Sequence, residues 1–346
     1  MSRRSLTLLI AGLAALVAIG VSVLVPVPYV ILMPGPTLNT LGADSSGKPL
    51  ISISGHQTYR TSGNLNMVTV SYTGDAPPDT GVNIFQALRA WLDSSEAVVP
   101  ATEIFPAGQS VQQTQSQDTA QMAGSQEQAT AAALTALHIA FVTTVSVVQT
   151  EPGTPAAGVL KAGDVIKSVN GEPITGASAL TTLITAHPAG TVLHLVVVRG
   201  GKNVPLSVGT KEVGGHPIIG VTVQEGYKFP FTVSISVGNI GGPSAGMMFA
   251  LGIIDKITSL NLTGGKFIAG TGEITAAGAV QPIGGIQQKM VGARDAGATI
   301  FLTPAGNCAD TAGAVPSGLR VVKVSTLSQA IADLEAIKAG KSVPSC

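Results

Sequence analysis

The chain of 346 residues carries 19 basic and 19 acidic side chains, so its formal net charge is zero. This balance provides neither a basic field to attract nucleic acid nor an acidic tail to mimic it, and we predict no nucleic-acid partner. The length, with 45% hydrophobic residues, is typical of a folded protein of two or three domains and excludes a largely disordered chain.

Residues 1–30 are predicted to form a short cytoplasmic N-terminus and a membrane anchor. An uncharged, mostly apolar run extends from Leu6 to Val25, long enough to cross the hydrocarbon core as one transmembrane helix. The alternative is a cleaved signal peptide, but the run is long for one and ends without an Ala-x-Ala site. Arg3 and Arg4 precede the run and the next basic residue is Lys48, so we expect everything after the anchor to be extracytoplasmic.

Residues 31–124 are predicted to form an N-terminal α/β region. Strand-like runs occur at 50–53 and 67–72, and apolar residues recur at helical spacing from Ile84 to Leu92. A Gln-rich and then Ala-rich stretch at 114–137 is interpreted as one or two mostly helical elements, with a low-complexity linker as the alternative. One hypothesis is that the strands near 63–68 belong to the catalytic fold described below, which would make the intervening domain an insertion.

Residues 125–212 change to short β-runs, at 144–148, 164–169 and 192–198, with turns at Asn170-Gly171 and Gly200-Gly201. The sequence Pro-Ala-Ala-Gly-Val-Leu-Lys-Ala-Gly-Asp-Val-Ile at 155–166, with Val-Asn-Gly at 169–171, resembles the core signature of a PDZ domain. The resemblance implies that a helix at 177–186 borders a peptide groove and that peptides bind as an added strand beside the sheet edge. It places the carboxylate-binding loop near 137–139, where no Gly-Leu-Gly-Phe-type motif occurs.

Residues 213–346 mix strands and helices in an order that favours an α+β domain. A β-rich run at 232–237 leads through a Gly-rich turn, Gly241-Gly242-Pro243, to Ser244 and an apolar helical pattern at 245–257. A serine at a helix N-terminus sits among free amides and a positive dipole end, where an oxyanion is stabilised. The alternative is that Ser244 is simply the helix N-cap.

A lysine lies on the apolar stripe of a second helical segment. Ile286, Met290 and Ala293 share one face, and Lys289 falls on it. An ammonium forced toward a desolvated face has a lowered pKa, which lets the neutral amine act as a general base. The alternative is a lysine that extends its charged head to water.

Three motifs in order closely resemble the proteolytic domain of the Lon protease family: Gly-Pro-Ser-Ala-Gly at 242–246, Thr-Gly-Glu-Ile-Thr at 271–275 and Pro-Ile-Gly-Gly-x-x-x-Lys at 282–289. The resemblance implies a Ser-Lys dyad, with Ser244 as nucleophile and Lys289 as base. It implies that Thr271 hydrogen-bonds the lysine amine. We expect the backbone amides from Gly242 to Ala245, apart from proline, to stabilise the oxyanion.

Two departures from the family limit the comparison. Gly241 replaces an acidic residue that often precedes Gly-Pro-Ser in the family, and no Gly-x4-Gly-Lys-Ser/Thr phosphate loop occurs. We therefore expect ATP-independent proteolysis without a cofactor. A trypsin-like site is excluded because Ile240 occupies the nucleophile position of Gly-Asn-Ile-Gly-Gly-Pro, and no His-Glu-x-x-His or Cys/His cluster predicts a metal.

The sequence therefore predicts an α+β fold in which a Lon-type proteolytic domain is combined with a β-rich PDZ domain and preceded by a transmembrane helix. The predicted function is a membrane-anchored serine endopeptidase that cleaves extracytoplasmic polypeptides with flexible or exposed termini. Self-association is implied by the resemblance alone. The main alternative is a non-catalytic, membrane-tethered PDZ scaffold with a degenerate protease domain. Cys308 and Cys346 form a disulfide if they are close, and are otherwise two free thiols.

Overall fold

A computed structural model describes residues 3–24, 26–43, 46–77, 81–106 and 108–346 of the chain. Val25, the end of the predicted apolar run, lies outside the described residues. The helices are α1 (Arg3–Leu24), α2 (Ile84–Leu92), α3 (Ala101–Ile104), α4 (Val111–Ala136), α5 (Ala177–Thr185), α6 (Gly246–Ile257), α7 (Ile286–Asp295), α8 (Cys308–Thr311) and α9 (Leu327–Lys338).

The strands in the described residues range from two to eleven residues in length. They are β1 (Tyr29–Asn39), β2 (Ile51–Ser54), β3 (Asn64–Thr73), β4 (Ala97–Pro100), β5 (Val142–Thr150), β6 (Val165–Val169), β7 (Glu172–Pro173), β8 (Val192–Arg199), β9 (Lys202–Gly209), β10 (Lys211–Val213), β11 (His216–Ile218), β12 (Val221–Lys228), β13 (Thr232–Ile235), β14 (Phe267–Gly270), β15 (Glu273–Ile274), β16 (Val280–Gln281), β17 (Ile300–Pro304) and β18 (Arg320–Val324).

The chain divides into two compact units. Unit 1 consists of Met1–His138 and Phe231–Cys346, and unit 2 is Ile139–Pro230. This division differs from the predicted boundaries at 125 and 212. The difference arises because α4 packs against α6 within unit 1, while β12 pairs with β5 within unit 2.

One six-stranded sheet organises unit 1, in the order β18-β17-β14-β3-β1-β4. At its centre β14 runs parallel to β3, with Ile268 opposite Leu65, and also parallel to β17. β1 is antiparallel to both β3 and β4. Strands from residues 29–100 and from residues 267–324 therefore build a single sheet, on which the helices of unit 1 pack.

Helices α6 and α7 begin at the motifs at 242–246 and 282–289, and the residues of each helix explain how it packs. α6 has apolar residues on all sides, and all but Lys256 of its residues are buried, as expected of a central helix. α7 instead buries one stripe, on which Met290 and Ala293 contact a cluster that includes Val68 and Phe301. Full burial of each such large side chain contributes about 1.5–3 kcal/mol.

Unit 2 is a β-rich domain with the strand order β12-β5-β6-β8-β9, and β7 pairs with β6. Its core includes Val145, Leu160, Ile166, Leu180 and Leu195, so α5 packs through Leu180 onto the sheet. The sheet leaves β12 at one edge. That edge is where an added strand would find unpaired backbone groups.

The sequence makes two predictions about the ends of the chain, a transmembrane helix and a possible disulfide. The sequence predicts a transmembrane helix, but among the described residues no helix is both long and apolar enough to cross a membrane. For the two cysteines the sequence left open a disulfide or two free thiols, and the structure has a disulfide between Cys308 and Cys346. This bond joins the C-terminal residue to α8.

Candidate active site

Ser244 lies in the turn that enters α6. The helix begins at Gly246 and its N-cap is Ala245, which makes no side-chain cap hydrogen bond. The alternative interpretation of Ser244 as the N-cap is therefore wrong, because the serine lies one residue before that position. Its hydroxyl is left for another partner, which α7 supplies.

Lys289 is that partner, and its Nζ lies 2.9 Å from Ser244 Oγ. α7 begins after Gly285, whose φ of +66° is a left-handed conformation that glycine adopts without strain. A Cβ at Gly285 would also lie 2.6 Å from Val70 Cγ2, so the glycine lets α7 approach β3 closely. The two halves of the dyad therefore come from the turn before α6 and from the end of the first turn of α7.

The amine of Lys289 is withdrawn from water. The residue is only 4% exposed, so the interpretation of a lysine that extends its head to solvent is wrong. Burial lowers the pKa of Lys289 from 10.5 to about 8. Desolvation disfavours the charged form of an amine, and within the described residues no carboxylate forms an ion pair with Lys289 to offset that cost. A substantial neutral fraction follows near physiological pH.

Thr271 lies beside the serine, but its hydroxyl has a different partner from the one that the resemblance implies. Thr271 Oγ1 donates to the carbonyl oxygen of Ser244 at 2.9 Å, rather than contacting the amine of Lys289. The Gly272 amide donates to the same oxygen at 2.8 Å. Thr271 is fully buried, and this pair of hydrogen bonds fixes the backbone of the nucleophile.

Helix α4 holds the other side of the serine turn. The Gly242 amide donates to the Asp118 carbonyl oxygen at 2.9 Å, and Ser125 Oγ donates to the Pro243 carbonyl oxygen at 2.9 Å. A Cβ at Gly241 would lie 2.6 Å from Asp118 Cβ, so the turn approaches α4 too closely for a side chain. This contact explains the glycine where Lon sequences often have an acidic residue.

The same contacts decide which amides face a substrate. The Gly242 amide is occupied by Asp118, which contradicts the expectation that Gly242 contributes to the oxyanion site. Pro243 has no amide hydrogen. Among the residues that the structure describes, the amides of Ser244 and Ala245 donate to no protein acceptor. They are the remaining donors beside the nucleophile.

A cavity of about 910 Å³ within unit 1 opens onto Ser244 and Lys289. Its wall is mostly apolar, which suits a polypeptide side chain next to the bond that reacts. Representative wall residues are Leu32, Met67, Val70, Val99, Met122 and Ile283. The described parts of the chain contain no group of three or more His, Cys, Asp or Glu side chains that could hold a metal ion.

The sequence did not predict that Asp118 and Ser125 belong to the site. Both lie in the polar stretch that precedes unit 2, more than 110 positions before the nucleophile. No local pattern distinguishes their carbonyl or hydroxyl groups from those of neighbouring Gln, Ser and Thr residues. Only the packing of α4 against α6 identifies them.

A second candidate site lies in unit 2, between the edge strand β12 and helix α5. The Ala177 amide at the start of α5 donates to Glu225 Oε1 of β12 at 2.6 Å, so the two elements run beside each other. Residues 137 and 138 belong to unit 1, whereas 217–220 lead directly into β12. The segment that enters the edge strand is therefore 217–220, and not 137–139 as the resemblance implied.

Unit 1 brings a serine hydroxyl and a buried lysine amine into contact, which is the arrangement used by hydrolases with a serine nucleophile and a lysine base. Residues 233–335 match the family model "Lon protease (S16) C-terminal proteolytic domain", and residues 108–210 match the PDZ domain model. A Lon proteolytic domain and a PDZ domain are therefore found in the chain. The PDZ match begins at residue 108, just before α4 and earlier than unit 2 itself.

Individual relatives agree with the first match. Lon protease 1 of Sorangium cellulosum is 42% identical over 94 residues, which is 26% of this chain and 11% of that protein. Lon protease of Rhizobium meliloti is 37% identical over 94 residues, with the same coverage of 26% and 11%. The matched part is thus about a tenth of each relative's length. These matches support a serine endopeptidase of the Lon type.

A solved structure resembles the other domain. The PDZ domain of the SdrC-like protein from Listeria monocytogenes is 27% identical, with a TM-score of 0.22, and covers 23% of this chain and 85% of that structure.

Proposed function

We propose that the protein is a serine endopeptidase in which Lys289 activates Ser244, and that unit 2 binds polypeptide segments. The observation that carries the proposal is the 2.9 Å contact between a buried amine and the serine hydroxyl. Heavy-atom separations of about 2.6–3.2 Å are those at which a general base removes a proton from its nucleophile.

The reaction begins with neutral Lys289. Its Nζ accepts the proton of Ser244 Oγ while Oγ forms a bond to the carbonyl carbon of the substrate peptide. The carbonyl oxygen becomes an oxyanion, to which the amides of Ser244 and Ala245 donate. The ammonium then returns its proton to the leaving nitrogen as the C–N bond breaks, which leaves an acyl-enzyme and a free amine.

Hydrolysis of the acyl-enzyme reverses these roles. Neutral Lys289 takes a proton from water, whose oxygen attacks the ester carbonyl, and the protonated amine gives that proton to the departing Ser244 Oγ. Thr271 assists indirectly, because its hydrogen bond to the Ser244 carbonyl holds the nucleophile toward the amine. No nucleotide or metal enters either step.

The peptide-binding role rests on the edge strand of unit 2. A polypeptide segment added beside β12 would pair with this edge strand and lie against α5, which makes main-chain hydrogen bonds the main source of affinity. Such binding selects extended chains. We therefore propose that the substrates are polypeptides with flexible or exposed termini, and that unit 2 is an insertion that presents them.

The extracytoplasmic location remains a proposal from the sequence. Its support is the apolar run from Leu6 with two preceding arginines, together with the Cys308–Cys346 disulfide, which persists in oxidising compartments. The expected result in intact cells is that added protease degrades unit 2 while cytoplasmic proteins stay intact. Protection of the chain until the cells are opened would contradict this location.

The endopeptidase is tested by cleavage of an unfolded, labelled polypeptide by the whole chain and by its Ser244→Ala and Lys289→Ala variants. Each substitution is expected to lower the rate by about 10³-fold or more, since removal of either member disables the unit. Lys256→Ala is the matched control, because Lys256 is a half-buried lysine of α6 that lies outside the cavity. Equal cleavage by all four proteins, or by none, would overturn the proposal.

Binding by unit 2 is measured separately, with the Ser244→Ala chain and a fluorescent peptide that is not cut. If the peptide binds but wild type cuts no polypeptide, the non-catalytic scaffold becomes the better interpretation. A peptide with an amidated C-terminus is the matched control for carboxylate recognition.

A further inference from the structure

Helix α2 places its large apolar side chains in solvent instead of in the core. Its buried residues are Ala87 and Ala90, whereas Leu88, Trp91 and Leu92 are 45%, 76% and 82% exposed. A helix on the surface of a globular protein normally does the reverse. The lost burial is substantial, because a large apolar side chain is stabilised when it leaves water.

These exposed side chains form one continuous stripe, which we call the α2 apolar face. At 100° per residue, Ile84, Phe85, Leu88, Trp91 and Leu92 fall within an arc of about 120° on the helix surface. The polar residues Gln86 and Arg89 lie outside that arc. Contiguous exposed apolar surface of this kind marks a contact with something other than water.

The α2 apolar face lies next to a second exposed apolar surface. α1 contacts α2, and the two are joined where the Val27 amide donates to the Val82 carbonyl oxygen at 2.8 Å. On α1, Leu8 and Leu16 are 74% and 67% exposed. The two helices therefore offer adjoining apolar surfaces at the same end of unit 1.

We propose that the α2 apolar face binds a lipid bilayer surface, with α2 lying in the interfacial region. A protein partner would need a shape complementary to two adjoining helices, whereas acyl chains cover apolar side chains of any outline. The composition also fits, because Trp and Phe side chains prefer the boundary between headgroups and acyl chains. This contact differs from a membrane-crossing helix, since α2 has only nine residues.

The charges on α2 indicate what kind of lipid it binds. Arg89, the basic residue of α2, forms an ion pair with Glu96 at 2.7 Å and so is already neutralised. α2 thus has no net positive charge to attract anionic headgroups. Binding should depend on apolar burial and proceed equally well on zwitterionic phosphatidylcholine and on mixtures with phosphatidylglycerol.

Trp91 is the only tryptophan of the chain, so it reports on this face without labelling. The full chain is reconstituted in phosphatidylcholine bilayers whose acyl chains carry bromine, and Trp91 emission is compared with that in unbrominated bilayers. The expected result is strong quenching by the brominated lipid and loss of quenching by aqueous acrylamide. Addition of phosphatidylglycerol should leave both unchanged.

The triple variant Phe85→Ser, Leu88→Ser, Leu92→Ser keeps Trp91 and all of α1, and it is expected to lose the lipid quenching. Its fold is checked by the cleavage rate on a soluble polypeptide. Trp91 that stays accessible to acrylamide in wild-type bilayers would overturn the proposal, even if α1 holds the chain on the membrane. Shielding from acrylamide that grows with protein concentration, without quenching by brominated lipid, would assign the face to a second copy and also overturn it.

Discussion

A lysine lies beside each end of α6, and burial lowers the pKa of both, but the two have different neighbours. At the N-terminal end, Lys289 contacts Ser244 Oγ and burial alone lowers its pKa to about 8. At the C-terminal end, burial lowers the pKa of Lys256, but the carboxylate of Asp255 opposes that shift. Lys256 also donates to the Leu41 carbonyl oxygen at 3.3 Å.

The difference shows what converts a structural lysine into a base. A carboxylate neighbour stabilises the ammonium and so opposes the fall in pKa that burial causes. A hydroxyl neighbour in a dry site provides no such compensation, and the pKa of the amine falls to about 8. Both lysines lie beside an end of α6, but only Lys289 has a serine hydroxyl as its hydrogen-bond partner.

The largest expected effect comes from making the charge at position 289 permanent. Lys289→Arg keeps a cation of similar length but cannot lose its proton, so the cleavage rate is expected to fall by about 10³-fold or more. Lys256→Arg is the matched control and should change the rate less than twofold. A Lys289→Arg variant that retains most of its activity would show that the amine is not the base.

The next largest effect concerns stability. Because the pKa of Lys289 is about 8 in the fold and about 10.5 when hydrated, the unfolded state binds more protons between these values, and wild-type stability rises with pH in that window. At pH 7 the full penalty applies. Lys289→Met should then raise the free energy of unfolding by up to roughly 3 kcal/mol, with the gain fading as the pH approaches the upper value.

This stability change is measured by urea unfolding of both proteins at several pH values. Lys256→Met serves as the contrast, because it removes one of the two lysine charges, with that of Lys338, that favour the buried Asp255 carboxylate, and it is expected to destabilise the fold. A pH-independent difference between Lys289→Met and wild type would contradict the assigned window.

Much of the dyad could be predicted from the sequence because its signals are local. The glycines around Ser244 and the apolar stripe of α7 are patterns within a dozen residues, and they indicated both members of the pair. The predicted helix at 84–92 was likewise confirmed as α2, since its amphipathic spacing is strong. That same spacing did not reveal that the large apolar face points away from the core.

The strands and hydrogen bonds that hold Ser244 and Lys289 in place were not predictable, because they join segments that are distant in the sequence. β14 pairs with β3 about 200 positions earlier, which a linear reading cannot establish. The Asp118 carbonyl that occupies the Gly242 amide lies in a Gln-rich stretch without a distinguishing pattern. The oxyanion donors were therefore assigned partly to the wrong residue.

A third prediction addresses the pH dependence of catalysis. The rate of cleavage, as kcat/KM, should rise about tenfold per pH unit below the pKa of Lys289, which is about 8, and level off above it. The measurement uses a small fluorogenic peptide, so that substrate unfolding does not contribute. A rate that is flat from pH 6 to 9 would contradict a base with this pKa.

The smallest expected effect is at Ser125, which holds the N-terminal end of α6 through Pro243. Ser125→Ala removes that hydrogen bond and is expected to lower kcat about five- to tenfold, a cost of about 1–1.4 kcal/mol, with little change in KM. Ser125→Thr should restore part of the rate. The control is Thr258→Ala, because the Thr258 hydroxyl makes its hydrogen bonds at the other end of α6, where it donates to the Ile254 carbonyl and accepts from the Leu260 amide. Equal losses for the two alanine variants would assign Ser125 a general stabilising role.

The most direct measurement is an NMR titration of the lysine side chains, with ¹³C at Cε, in the intact chain. Lys289→Arg and Lys256→Arg variants assign the two resonances by their disappearance. A resonance for Lys289 that titrates near pH 8 is the predicted result. Titration near 10.5, the value of a freely hydrated amine, would contradict the claim that the site holds a neutral base beside the serine.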